Sequence, residues 1–388
     1  MPQKILIIQT AFIGDALLSI PLLKNLNKYY PNAELSYLCR AGIGEFLEQL
    51  KLVKTVHEIK KQDSKSRKLV MQKLKSQIWD WIICPHESVR SQFICHSLKA
   101  KRKTSYKKFW GAFTFDELIE RPLDLPEALR TLALLQNSQP DIKKLLSDYR
   151  GQKDSIREIE FTMSEQLLDL TGLKNNLHTN LVRKFRPIPS SVSMEIARFT
   201  QLRSQSHQMR LALSSERVGG ILKLAKNRKI FVLAPGSVWE TKIWRREYFR
   251  EVCKNLAQRH FVVLIGGPPE RELCSDLLEG LENVYNAAGE TSLWESAEIL
   301  ACSDQVLTND SGAMHLASLS SANVLSIFGP TVLEQGYRPW NDFAQSIESS
   351  MYCRPCGKHG AKKCPLSHHA CMKLISPNQV LELIDPKG

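Results

Sequence analysis

The residues best suited to chemistry in this chain lie on a few short turns. Thr308-Asn309-Asp310-Ser311-Gly312-Ala313-Met314-His315 follows a short apolar run and precedes a second one, so it reads as a strand-to-helix turn. Such a turn aims unpaired backbone N–H groups and the positive end of a helix at one point, where an anion is stabilised. Asp310 and Ser311 suit the helix cap, and Gly312 lets a ligand approach the backbone closely. Pro235 to Trp244 (PGSVWETKIW) follows another apolar run, and there Ser237 can donate to a phosphate while Lys242 supplies a point charge. Gly266-Gly267-Pro268-Pro269-Glu270 ends a third run, with a carboxylate able to accept the two hydroxyls of a ribose. A cation, a carboxylate and an anion nest on three strand ends describe a seat for a nucleotide diphosphate. Near the N-terminus, Asp15 sits on the first strand-to-helix turn. Its carboxylate can take a proton from an attacking hydroxyl or simply stabilise the helix end. The sequence holds no Asp-x-Asp pair, which disfavours a metal-bridged diphosphate and leaves the leaving group to Lys242 and the nest.

The elements that must position these residues alternate in type. Lys4 to Gln9 reads as a buried strand running into a helix over Ala16 to Tyr29. Apolar runs at Glu34 to Leu38, Val53 to Ile59 and Trp81 to Cys84 alternate with helical stretches such as Arg67 to Gln77, the rhythm of a parallel α/β sheet. The pattern fades over Gln139 to Arg217 and restarts at Lys229 to Ala234. It then continues through Phe261 to Ile265, Asn283 to Asn286, Gln305 to Leu307 and Asn323 to Ile327. Two Rossmann-like domains are expected, residues 1–217 and 218–388. Open sheets of this kind bind ligands beyond the carboxyl ends of their strands. No G-x-G-x-x-G follows either first strand, so a nicotinamide dehydrogenase lacks its fingerprint.

Composition narrows the class further. In a chain of 388 residues, an apolar fraction of 43% and a charged fraction of 24% describe a globular protein with packed cores. Asp15 interrupts the apolar N-terminal stretch, which therefore reads as strand and helix rather than a signal peptide; a cytoplasmic protein is expected. The formal charge of +13 attracts anions, and much of it is local: Lys51 to Lys75 includes Lys60 and Lys61, and Lys99 to Lys108 includes Arg102. Six of the ten cysteines are scattered singly among apolar residues. The other four, Cys353, Cys356, Cys364 and Cys371, form a C-x2-C-x7-C-x6-C cluster whose spacing could hold zinc or iron, form disulfides or carry reduced thiols, structural in each case.

Several ordered strings together resemble the lipopolysaccharide heptosyltransferases of glycosyltransferase family nine, closest to the heptosyltransferase II type. They are KILIIQTAFIGDALLSIPLLKNL, PHESVRS (85–91), KKFWGAF (107–113), APGSVWETKIWRREYF, GGPPERE, AGETSLWE, TNDSGAMHLA, FGPT and CRPCGKHGAKKCPLSHHAC before a terminal helix. The resemblance implies a GT-B fold, two Rossmann-like domains facing a cleft with a C-terminal helix. It implies inverting, metal-independent transfer of heptose from ADP-heptose to a hydroxyl of the lipopolysaccharide inner core, with no cofactor. Asp15 matches the family's proposed base. Ser237, Lys242, Glu270, Thr291, Thr308, Asp310, Ser311, Gly312 and His315 match donor contacts, while His86, Arg90 and the basic residues Lys60, Lys61 and Arg102 fall where the acceptor is met. A membrane glycolipid acceptor would place the protein peripherally on the cytoplasmic face of the inner membrane. The rivals are a related transferase with a protein or other glycan acceptor, and a basic nucleic-acid-binding protein. The latter leaves the motifs of the second half unexplained.

Overall fold

The computed structural model describes residues 1–60, 63–151, 155–159, 180–184, 213, 215–341 and 343–386. By contact the chain divides after Gln152: the residues before it form one unit, and the described residues from Ser155 onward form the other. The expected boundary at 217/218 lies later than this division. Ser155–Ile159 (β7) and Asn180–Lys184 (β8) pair antiparallel with each other, and β8 pairs antiparallel with Gln345–Ser349 (β14), so both belong to the sheet of the second unit.

The first unit is built on six parallel strands: Lys4–Gln9 (β1), Glu34–Arg40 (β2), Thr55–Ile59 (β3), Ile78–Cys84 (β4), Lys99–Tyr106 (β5) and Glu117–Ile119 (β6). Their order is β3-β2-β1-β4-β5-β6. Ile5 to Ile8 are fully buried, as a strand covered on both faces by helices requires. The helix expected over Ala16 to Tyr29 is two helices, Ile13–Leu17 and Ile20–Tyr29. Pro21 in the first turn of the second has no N–H to continue the ladder, and the Ser19 hydroxyl donates to the Ala16 carbonyl at 2.7 Å to close the break.

The second unit repeats the order. Ile230–Ala234 (β9), Phe261–Leu264 (β10), Val284–Asn286 (β11), Gln305–Asn309 (β12), Val324–Phe328 (β13) and β14 run parallel, and the sheet reads β11-β10-β9-β12-β13-β14-β8-β7. The helix Arg246–Ala257 turns Phe249, Val252, Cys253, Leu256 and Ala257, spaced three and four apart, onto a core that includes Val262, Leu264 and Leu277. The terminal helix Pro377–Ile384 starts with a reciprocal cap between Ser376 and Gln379 and buries Val380 and Ile384 in the same core. In each unit the strand order reverses between the first and fourth strands, at β1/β4 and β9/β12, where ligands bind in open sheets.

Candidate functional site

The turns after β9 and β12 emerge side by side because these strands are hydrogen-bonded neighbours. Asn309, the last residue of β12, stitches the two turns together. Its Nδ2 donates to the Pro235 carbonyl at 2.7 Å, and its Oδ1 accepts the Trp244 N–H at 3.0 Å. Lys242 closes the single 3-10 turn Glu240–Lys242 and reaches Asp310 with Nζ···Oδ2 2.6 Å. Both are buried, Lys242 at 9% exposure and Asp310 at 4%. A buried charge persists only when paired and hydrogen-bonded. The Thr331 hydroxyl at the end of β13 completes the arrangement by donating to the same Oδ2 at 2.6 Å. The Asp310 contact uses one of the three ammonium donors of Lys242.

Asp310 is thus a partner of lysine rather than a helix cap. Ser311 takes the cap position of the helix Gly312–Leu319 in an extended conformation, but its side chain caps no helix N–H. The first-turn amides are left for an anion. Thr308 is fully buried, its hydroxyl donating to the Asn309 carbonyl at 3.0 Å and lying 3.4 Å from Ser311 Oγ. His315 lies flat against Trp340, with ring centres 5.4 Å apart and planes 9° from parallel. Burial lowers the imidazole pKa to about 4, with Asp310 opposing and Lys242 reinforcing the shift, so the ring is neutral at physiological pH. Among the described residues its buried Nδ1 meets no hydrogen-bond partner, and neither does Trp340 Nε1.

Glu270 joins from the turn after β10. A Cβ built on Gly236 would stand 2.4 Å from Glu270 Cγ, and one on Gly266 2.8 Å from Glu270 Cβ. Only glycine at these positions lets the acidic side chain lie against the Ser237 turn. Ser237 itself accepts the Trp239 N–H at 3.4 Å. Thr291, in the loop after β11, is half-buried and lies 2.8 Å from Ser296 Oγ.

In the first unit, Asp15 occupies the first turn of Ile13–Leu17, its Oδ2 accepting the Phe12 N–H at 3.2 Å. His86 belongs to a hydroxyl cluster at the ends of β1 and β4. Its Nδ1 lies 3.1 Å from Thr10 Oγ1 and 2.9 Å from Ser91 Oγ, and those two hydroxyls are 3.0 Å apart. Arg90 and Lys60 are exposed. Lys61 lies outside the described residues. Arg102 is half-buried; its Nη2 donates to Glu117 at 2.6 Å and Ser138 at 2.7 Å, and its guanidinium stacks 4.3 Å over Trp81.

The four clustered cysteines, like the other six, are free thiols, and among the described residues no three or more Cys, His, Asp or Glu side chains are gathered in one place. Residues 353–371 form instead a strap that lies on the turns bearing Lys242 and Thr331. Burial, with the neighbouring cysteines adding, pushes the Cys371 thiol up to about 12. Asn309 and Thr331 stand out in the sequence only as members of the TNDSGAMHLA and FGPT strings, and Thr241, Trp340 and Arg354 have no site role there.

The model of glycosyltransferase family 9 (heptosyltransferase) matches residues 175–366, which span the whole Lys242–Asp310–Thr331 arrangement. The chain carries a glycosyltransferase family 9 domain. It is 36% identical over 168 residues to lipooligosaccharide heptosyltransferase 2 of Campylobacter jejuni serotype O:2, a match covering 42% of this chain and 51% of that protein. A second relative, lipopolysaccharide heptosyltransferase 2 of Escherichia coli K12, is 29% identical over 115 residues, 28% of this chain and 33% of that one. The chain thus spans about half the length, or less, of the curated relatives it matches. Among solved structures, E. coli ADP-heptose lps heptosyltransferase II superposes with a TM-score of 0.66 at 19% identity over 99% of this chain and 98% of that one. E. coli heptosyltransferase WaaC with ADP gives 0.64 at 16% over the full length of both. At these identities the likeness establishes the fold, which is the expected α/β GT-B fold of two Rossmann-like units.

Proposed function

We propose that the protein is an inverting glycosyltransferase that moves heptose from ADP-heptose to a hydroxyl of the lipopolysaccharide inner core. The observation that carries this reading is the buried Lys242–Asp310 pair beside the uncapped start of Gly312–Leu319, at the point where the strand order of the family 9 domain reverses. The diphosphate sits on the helix amides and the remaining donors of Lys242, and Glu270 accepts the ribose hydroxyls. Neutral His315 contributes a hydrogen bond rather than a charge. The acceptor oxygen attacks the anomeric carbon from the face opposite the diphosphate. The bond to ADP breaks with its electrons going to the phosphate oxygen, and Asp15 takes the hydroxyl proton. The names of the relatives, heptosyltransferases acting on lipooligosaccharide or lipopolysaccharide, support the substrate class. A glycolipid acceptor calls for peripheral contact with the cytoplasmic face of the inner membrane. The basic surface supports this, as do Phe109 and Phe113, 93% and 86% exposed beside Lys107 and Lys108.

The decisive experiment incubates the purified chain with ADP-heptose and defined core acceptors and weighs the products. A heptosylated acceptor together with ADP is expected. In the same assay Asp15→Ala lowers turnover by at least about a hundred-fold, the scale of a lost general base, while ADP affinity stays near that of the parent. Lys242→Ala weakens both. Equal loss of ADP binding in Asp15→Ala overturns the role assigned to that carboxylate.

A further inference from the structure

We infer that the cysteine-rich strap, Cys353–Cys371, positions the Lys242–Asp310 pair for the diphosphate; the inference rests on the nucleotide-sugar reading above. A lysine side chain has many rotamers to choose among, and a single 3-10 turn is a weak anchor for it. The structure supplies a second anchor from behind. Thr241, next to Lys242 and itself buried, donates its hydroxyl to the Ala361 carbonyl and accepts the Ala361 N–H at 3.2 Å. The Thr241 carbonyl lies 2.8 Å from His369 Nε2, and since a carbonyl only accepts, this nitrogen carries the proton. The Trp239 ring lies parallel to His359, 6.0 Å between centres. Gly360 has φ +79°, and a Cβ there would press to 3.1 Å on both Thr241 Oγ1 and Pro330 Cγ, so the strap approaches as closely as glycine allows.

The other half of the pair is held by the same strap. Thr331, whose hydroxyl binds Asp310, offers its carbonyl to Arg354 Nη2 at 2.6 Å. Arg354 is fixed in turn by Glu348 at 2.7 Å and by the Ser349 carbonyl at 2.6 Å, while the Cys356 N–H donates to the Pro330 carbonyl at 2.9 Å. Residues 354–356 therefore secure the aspartate side and residues 359–369 the lysine side. The thiols shape the strap locally, with Cys356 Sγ donating to the Cys353 carbonyl and Cys364 Sγ accepting the His369 N–H, both at 3.4 Å. Thr241, His369 and Arg354 are positioning residues.

The test is ADP titration calorimetry on the full chain with donor and acceptor KM measured in parallel. Thr241→Val keeps the volume and removes both hydroxyl bonds. It is expected to weaken ADP roughly ten-fold and raise donor KM without moving acceptor KM, whereas Thr241→Ser stays within about two-fold, the spread of neutral changes. His369→Gln, which retains a donor, should lie closer to the parent than His369→Leu. Gly360→Ala pushes on Thr241 without removing a bond and should also weaken ADP. ADP affinities within about two-fold of the parent in Thr241→Val, His369→Leu and Gly360→Ala, whatever their melting temperatures, overturn the inference. A parent protein that takes up no ADP overturns the nucleotide-sugar reading itself.

Discussion

His315 shows at the scale of a single residue how the fold changes chemistry. Its pKa falls from 6.5 to about 4 on burial, so between those values the unfolded chain binds a proton that the folded one refuses. The folded state is therefore unpenalised above pH 6.5 and loses up to roughly 3 kcal/mol from this group as pH drops toward 4. Denaturant titrations across that window should show a smaller pH slope in His315→Gln than in the parent; an identical slope would show that the ring is not the group responsible. A second residue-scale prediction concerns Gly236. Its alanine variant must displace Glu270, and ADP affinity should fall while adenine-free pyrophosphate binds as before. Lys242, Asp310 and Glu270 were legible in the sequence because each lies on a short turn after an apolar run. Their pairing and its supports were not, Lys242 being 68 residues from Asp310. Thr331 is 21 residues from Asp310 and Ala361 is 120 from Thr241, and no local pattern encodes such contacts.

At the scale of elements, most of the parallel strands were legible because parallel strands covered on both faces are written as unbroken apolar runs. What the pattern missed were β5, whose KAKRKTSY reads as a basic run, the short β6 and β14, and the places where elements stop. The single helix read over Ala16 to Tyr29 breaks at Ser19, since the apolar periodicity runs on across a proline. The domain boundary was read too late because β7 and β8 are short, polar and placed at the sheet edge, with no crossover rhythm to mark them. β8 is nevertheless tied to the C-terminal region. Buried Asn180 donates from Nδ2 to the Leu374 carbonyl at 3.1 Å and to Gln379 Oε1 at 2.9 Å. Asn180→Ala removes this donor from the Leu374 carbonyl and leaves Gln379 Oε1 with the Ser376 N–H of the helix cap, and it should cost about 1–3 kcal/mol in urea unfolding. A change near zero would mean that water replaces the amide.

For the whole molecule, the excess of cations bears on which anionic surfaces it attracts rather than on how it folds. Among the described residues no helix is long and apolar enough to cross a membrane. Vesicle sedimentation should show binding to anionic but not zwitterionic phospholipid, release by high salt, and weaker binding when Phe109 and Phe113 are both changed to serine. Binding indifferent to lipid charge would rule out the basic surface as its cause. The paired ammonium in the nucleotide seat behaves in the opposite way. With Asp310 already matching Lys242 out of reach of bulk ions, that seat projects little field into water, and ionic strength should scarcely alter its hold on ADP. A salt series would then detach the protein from lipid while leaving ADP in place, so the two encounters can be timed separately in one sample.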